Sequence, residues 1–164
     1  MAELALMFGS RAQHIQEVIL PGLQAGQIVL CDRFTDSSEA YQGGGRRLGS
    51  KPILELHRVI CGDLQPDLTI LMDSDVDACV RRARRRNEAK SDAGASDESR
   101  FESENRAFFS RVRSAYLEIA KRESGRVVVI DARGTPDETG AKIVEVVSKK
   151  LDLELGSRKA RNVR

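Results

Sequence analysis

The stretch "CDRFTDSSEAYQGGGRR", residues 31 to 47, follows the short apolar run Ile28-Val29-Leu30 and decides how the chain is read. Bounded upstream by Gly26, that run is β-branched and reads as a fully buried strand over 28 to 32. Asp32 and Arg33 then stand at the C-terminal end of the strand, the end that faces the ligand crevice in open parallel α/β sheets. A carboxylate there can order the water shell of Mg²⁺, and the adjacent guanidinium is a planar, bidentate partner for phosphate. The pair points to a phosphate-bearing ligand; the plainer alternative is an ion pair that caps the strand. Beyond it, Thr35, Ser37, Ser38 and Gln42 offer neutral donors and acceptors, and Tyr41 a flat ring with one polar handle, an assortment able to grip a sugar and a base edge. Gly43, Gly44 and Gly45 permit either a close backbone approach or a plain flexible turn.

Working outward, apolar residues recur at helical spacing, so 3 to about 20 reads as an amphipathic helix disturbed at Pro21. "ILELHRVICGD" (53 to 63) reads as a helix with Pro52 in its first turn and Gly62 at its end, and His57 lies on an ordinary amphipathic face. "LTILMD" (68 to 73) and "RVVVID" (126 to 131) read as two more buried strands. Helices are expected over about 76 to 86, 101 to 123 and 136 to 151. Nearly all-apolar strands alternating with helices imply an α/β fold, a parallel sheet with helices on both faces. The chain opens on a helix with no strand before it, so a further strand is expected upstream.

The 164 residues suit one domain, placed at 1 to 155, followed by a basic tail at 156 to 164 expected to be disordered. Charged residues make up 32% and no apolar run reaches the roughly 18 residues of a membrane span, so a cytoplasmic, membrane-free protein is expected. Three cysteines without C-x-x-C spacing argue against a disulfide framework or a zinc site. Net charge is only +2, its excess confined to "RRARRR" (81 to 86) and the tail, and nucleic acid is not expected as a partner. The arginine run ends a helix and opens into a polar stretch; it reads equally as a solvated helix end and as a lid, about 84 to 100, closing over a phosphoryl group. Near the N-terminus, Met7 and Arg11 share one helical face, where a nonpolar side chain beside a donor could sandwich a nucleobase, although gap-filling in the core is the commoner role for a Met such as Met7. The phosphate-binding pattern G-x-x-x-x-G-K-[ST] is not found, and no Ser/His/Asp or Cys/His triad has support.

The motif "CDRFTDSSEAYQGGGR", with "ELALMFGSRAQHI", "GDLQPDLTILMD", "SRFESENRAFFSRVRSAYLEIA" and "VVVIDARGTPDE", resembles the bacterial thymidylate kinases from about residue 3 to 150. The resemblance implies a P-loop NTPase-like three-layer fold, phosphorylation of dTMP to dTDP with ATP and Mg²⁺, and a homodimer. It further implies that Arg33 contacts the dTMP phosphate and that Asp32 supports the magnesium region, through water. Ser37, Ser38 and Gln42 would lie along the nucleoside, Tyr41 against the sugar where a 2′-hydroxyl would protrude, and Arg11 at the thymine edge. Arg84 and Arg86 would embrace the ATP phosphates, with Arg133 and Gly134 bordering the adenine. Met7 stands where the family has an aromatic that stacks on thymine; either its thioether packs on the base or the neighbouring Phe8 ring substitutes. The family's first strand, P-loop and first helix, a unit of about 30 residues, are not matched, so these 164 residues are expected to be inactive alone. The alternatives are another nucleotide kinase of the same fold, or a non-catalytic nucleotide- or polyanion-binding module.

Overall fold

A computed structural model describes residues 2–77 and 98–150. The chain begins with helix α1 (Ala2–His14), passes through a π-helical turn (Ile15–Ile19) and continues as α2 (Leu20–Gln24). The helix therefore runs on past Pro21. The turn before the proline is wound wide, with the Leu20 N–H donating to the Ile15 carbonyl five residues back. After an extended stretch come α3 (Thr35–Ser38), a second π-helical segment (Glu39–Gly45) and α4 (Ser50–Cys61). Strand β1 (Thr69–Asp73), helix α5 (Glu98–Arg122), strand β2 (Val127–Asp131) and helix α6 (Pro136–Lys150) complete the order.

The expected punctuation holds at α4. Pro52 sits in the first turn of α4, and Gly62 caps its end in the left-handed region at φ 67°. At the start of α6, Thr135 and Glu138 form a reciprocal capping box: the Glu138 N–H donates to Thr135 Oγ1 at 3.2 Å, and the Thr135 N–H to Glu138 Oε2 at 2.8 Å. Apart from residues 76 and 77, the helix expected over 76 to 86 lies outside the described residues, as do most of the lid with Arg84 and Arg86 and the tail; residues 98 to 100 are already α5.

The sheet is parallel, as the alternation of strands and helices implies, with Thr69 opposite Val127 and Asp73 opposite Asp131. It has two strands among the described residues. The third strand, expected over 28 to 32, does not form. The segment is extended in character, for Val29 packs against a core cluster while Ile28 and Leu30 on either side are 75% and 98% exposed. A strand also needs a neighbour to take its hydrogen bonds, and among the described residues none lies beside it. Local propensity was satisfied; the ladder was not.

Two cores organise the rest. Leu4, Phe8, Ile15 and Ile19 pack with Ile53 and Cys61 of α4, and Ala40 packs with Val112, Ile119 and Ala120 of α5 and Val127 of β2. The second core depends on Gly44 and Gly45, and the three glycines settle as a close approach rather than a loose turn; a Cβ on Gly43 would stand 3.0 Å from the Gly49 carbonyl oxygen. A Cβ on Gly44 would stand 2.5 Å from that of Ala115, and one on Gly45 2.6 Å from the Phe108 ring and 2.8 Å from Val112. Two bidentate ion pairs flank this contact. Arg122 donates to both oxygens of buried Glu39 at 2.8 Å, and Arg126 to both oxygens of Asp36 at 2.7 Å. Gly45→Ala and Gly44→Ala are expected to lose about 1–3 kcal/mol of unfolding free energy by overpacking. Gly140→Ala, inside α6 with open space around it, is expected to gain up to about 1 kcal/mol; urea denaturation of the three variants checks both signs.

Candidate functional site

The Asp32-Arg33 pair lies on the loop that enters α3. Arg33 adopts φ 63°, a left-handed conformation that costs a non-glycine residue about 1 kcal/mol or more and so marks a constrained position. Its guanidinium lies 5.3 Å from the centroid of the Tyr41 ring. The start of α3 is anchored from beneath: buried Thr35 shares a 2.8 Å hydrogen bond with His57 Nδ1, and the Phe34 ring meets the His57 ring edge-on at 5.8 Å. Burial holds His57 below its ordinary pKa, so the ring is neutral at pH 7.

Arg11 reaches this element from α1. Its Nη2 donates to Ser38 Oγ at 2.8 Å, and its guanidinium carbon lies 4.6 Å from the Phe8 centroid and 5.5 Å from that of Phe34. The other terminal nitrogen, Nη1, is buried without a hydrogen-bond partner, as is Oε1 of Gln42, one helical turn after Ser38. Burial holds the Arg11 guanidinium below its usual range, with Cys61 and Cys31 opposing the shift. A buried donor and a buried acceptor, both unsatisfied, are costly in a folded protein unless a ligand completes them. Ser37 Oγ is 2.7 Å from the hydroxyl of Tyr116, which comes from α5.

A second concentration of charge lies at the C-terminal ends of the two strands. Arg113 of α5 grips both oxygens of Asp73 at 2.6 and 2.7 Å, and Arg133 both oxygens of Asp131 at 2.8 Å. Arg106 pairs with Asp77 at 2.7 Å. Asp73, Asp75, Ser110 and these three arginines line an open cavity of about 500 Å³. Among the described residues no three His, Cys, Asp or Glu side chains come together to hold a metal ion, so Asp32 would need ligands from elsewhere to bind one.

The thymidylate kinase family profile matches residues 1–143. The chain belongs to the thymidylate kinase family. It is 44% identical over 154 residues to the thymidylate kinase of Pseudomonas syringae pv. syringae, covering 94% of this chain and 69% of that protein. Against the thymidylate kinase of Pelobacter propionicus it is 44% identical over 153 residues, 93% of this chain and 68% of that one. The crystal structure of thymidylate kinase from Ehrlichia chaffeensis superposes with a TM-score of 0.66 at 26% identity, over 90% of this chain and 64% of that one. The fold is thus the α/β, P-loop NTPase-like fold of that family, and this chain spans about two thirds of the length of the thymidylate kinases it matches.

Of the residues singled out for a thymidylate kinase site, Arg33 and Tyr41 meet directly, as do Arg11 and Ser38. Asp32 is exposed at the mouth of the loop, and Gln42 is buried. Phe8 is a correction: its side chain is fully buried in the first core, with Arg11 over its ring, so it presents no face to a base. Met7, beside it, is 36% exposed, and Phe34 is half-buried. Arg133 is exposed and paired to Asp131, and Gly134 lies against Glu138 at the start of α6. Sequence reasoning missed Tyr116, Arg113 and the anchoring role of His57. The last had a signal, because Ile53, His57 and Cys61 recur every four residues along the buried face of α4.

Asp73 titrates below its ordinary 3.8, chiefly because Arg113 hydrogen-bonds the charged form, with burial opposing. A carboxylate shifted down binds fewer protons folded than unfolded. Its stabilisation is complete above the ordinary value and is lost as pH falls through the lower, folded one. Asp73→Asn is therefore expected to lower unfolding free energy at pH 7 by up to about 1 kcal/mol. Denaturation curves of variant and wild type should converge as the pH is taken below the ordinary carboxylate range.

Proposed function

We propose that this chain carries the dTMP-binding portion of a thymidylate kinase, the protein that transfers the γ-phosphoryl group of ATP to dTMP and gives dTDP. The observation that carries the reading is the unsatisfied pair beside Ser38: Arg11 Nη1 offers a buried donor and Gln42 Oε1 a buried acceptor. A pyrimidine edge presents acceptor oxygens and a ring N–H, which would complete both. Arg33 binds the 5′-phosphate, Ser37 and Ser38 line the nucleoside, and Tyr41 bars a 2′-hydroxyl. Met7, exposed on the same helix one turn before Arg11, supplies the apolar contact to the base.

Catalysis rests on positioning and charge neutralisation, with no covalent intermediate on the protein. Arg33 fixes the acceptor phosphate in line with the donor. Arg84 and Arg86 neutralise charge on the ATP phosphates, and Arg133 and Gly134 border the adenine. Mg²⁺, when bound, would neutralise the oxygens of the transferring group, with Asp32 contributing through a water molecule. The phosphate-cradling loop of a P-loop kinase has no match in these 164 residues, so turnover belongs to the assembly that contains one.

The same reading makes the protein a cytoplasmic homodimer. The homodimer is supported by apolar residues left exposed on helices, Leu6 at 75% and Val59 at 74%.

Isothermal calorimetry tests the substrate. dTMP is expected to bind one to one, more tightly than dCMP or thymidine. Arg11→Met should weaken dTMP about tenfold or more, and Arg33→Met should weaken dTMP while leaving thymidine unchanged, since the nucleoside has no phosphate. Strongly salt-dependent binding of single-stranded DNA with no dTMP signal would overturn the reading in favour of a polyanion-binding module.

A further inference from the structure

A ring that excludes a 2′-hydroxyl discriminates only as far as it stays in place. Tyr41 is held on two sides by rings from one helix: Phe108 meets it at 6.2 Å and 65°, and Tyr116 at 6.3 Å and 83°, both edge-on. Phe108 and Tyr116 lie two turns apart on α5. Tyr116 is itself tied down, because its hydroxyl bonds Ser37 Oγ at 2.7 Å. Ser37 precedes Tyr41 by one helical turn, so Ser37, Tyr116 and Tyr41 close a loop of contacts between the π-helical segment and α5. Arg33 lies over the same Tyr41 ring at 5.3 Å. The hydroxyl of Tyr116 is buried, which raises its pKa and keeps it a neutral group that can donate or accept.

We infer that Tyr116 is a specificity-determining positioning residue: through its bond to Ser37 and its edge contact with Tyr41 it fixes the ring that separates deoxyribose from ribose. The inference rests on the proposed function, in which Tyr41 faces the sugar. Tyr116 need not touch the nucleotide. Its effect is to deny Tyr41 the rotation that would open space for a 2′-hydroxyl.

Two measurements on the same chain test it. First, affinities for dTMP and for the corresponding ribonucleotide, 5-methyluridine monophosphate, are compared in wild type, Tyr116→Phe and Ser37→Ala. Both variants should narrow the preference for dTMP by about three- to tenfold, the scale of one hydrogen bond, with little change in Tm. Equal loss of affinity for both nucleotides, or an unchanged ratio, would show a merely structural residue and overturn the inference while leaving the proposed function standing. Second, the chain has two tyrosines, so Tyr116→Phe leaves Tyr41 alone in a tyrosine-labelled NMR spectrum. Ring flipping of Tyr41 is expected to be slow in the wild type and faster in the variant, read without any ligand. An unchanged flip rate overturns the inference, and failure of the wild type to bind dTMP overturns the proposed function.

Discussion

The contact between the glycine segment and α5 is the constraint on which the other arrangements depend. Because Gly44 and Gly45 carry no Cβ, the π-helical segment lies directly against Ala115, Phe108 and Val112. That approach places Tyr41 between two rings, sets Glu39 under Arg122 and brings Ser37 to Tyr116. Hydrogen bonds of 2.7–2.8 Å tolerate only a few tenths of an ångström of displacement before they weaken. An apolar, steric fact thus fixes the polar geometry of the site, and the site inherits its precision from backbone packing.

The arginines divide by what they meet. Arg106, Arg113, Arg122, Arg126 and Arg133 each face a carboxylate, and the bond to that partner is the chief reason Arg122 and Arg126 hold their protons more tightly than usual. Arg11 and Arg33 face rings and, for Arg11, one hydroxyl. Aromatic faces and a serine leave a guanidinium most of its capacity for anions and carbonyl oxygens. Arg11 and Arg33 are two of the arginines that sequence reasoning tied to the nucleotide; a third, Arg133, is instead held by Asp131.

Much of the architecture was legible because it is written locally. Pro52, Gly62 and the Thr135–Glu138 box bound their helices as helix-end chemistry dictates, and the strands at 69 and 127 follow from short apolar runs. The run at 28 carried the same local signal and failed, because pairing is decided by a neighbour and no local pattern reports whether one is present. In the site, the segment from Asp32 to Gln42 was singled out from its assortment of side chains. Tyr116 was not, since 79 residues separate it from Ser37 and nothing in the helix that carries it marks the turn that faces inward. Phe8 was misread for a related reason: adjacent helical positions lie about 100° apart, so the residue beside Met7 turns its ring into the core.

The two-stranded sheet has a further consequence, for how this polypeptide behaves in company. β1 has β2 on one side, and among the described residues nothing pairs with its other edge, where Met72 is 60% exposed. Nearby in the chain's logic, though not in its ladder, Ile28 and Leu30 stand bare on an extended segment. Unpaired amides beside β-branched side chains are templates for intermolecular strand addition. Solubility of the chain is therefore expected to depend on what covers that edge as well as on its net charge.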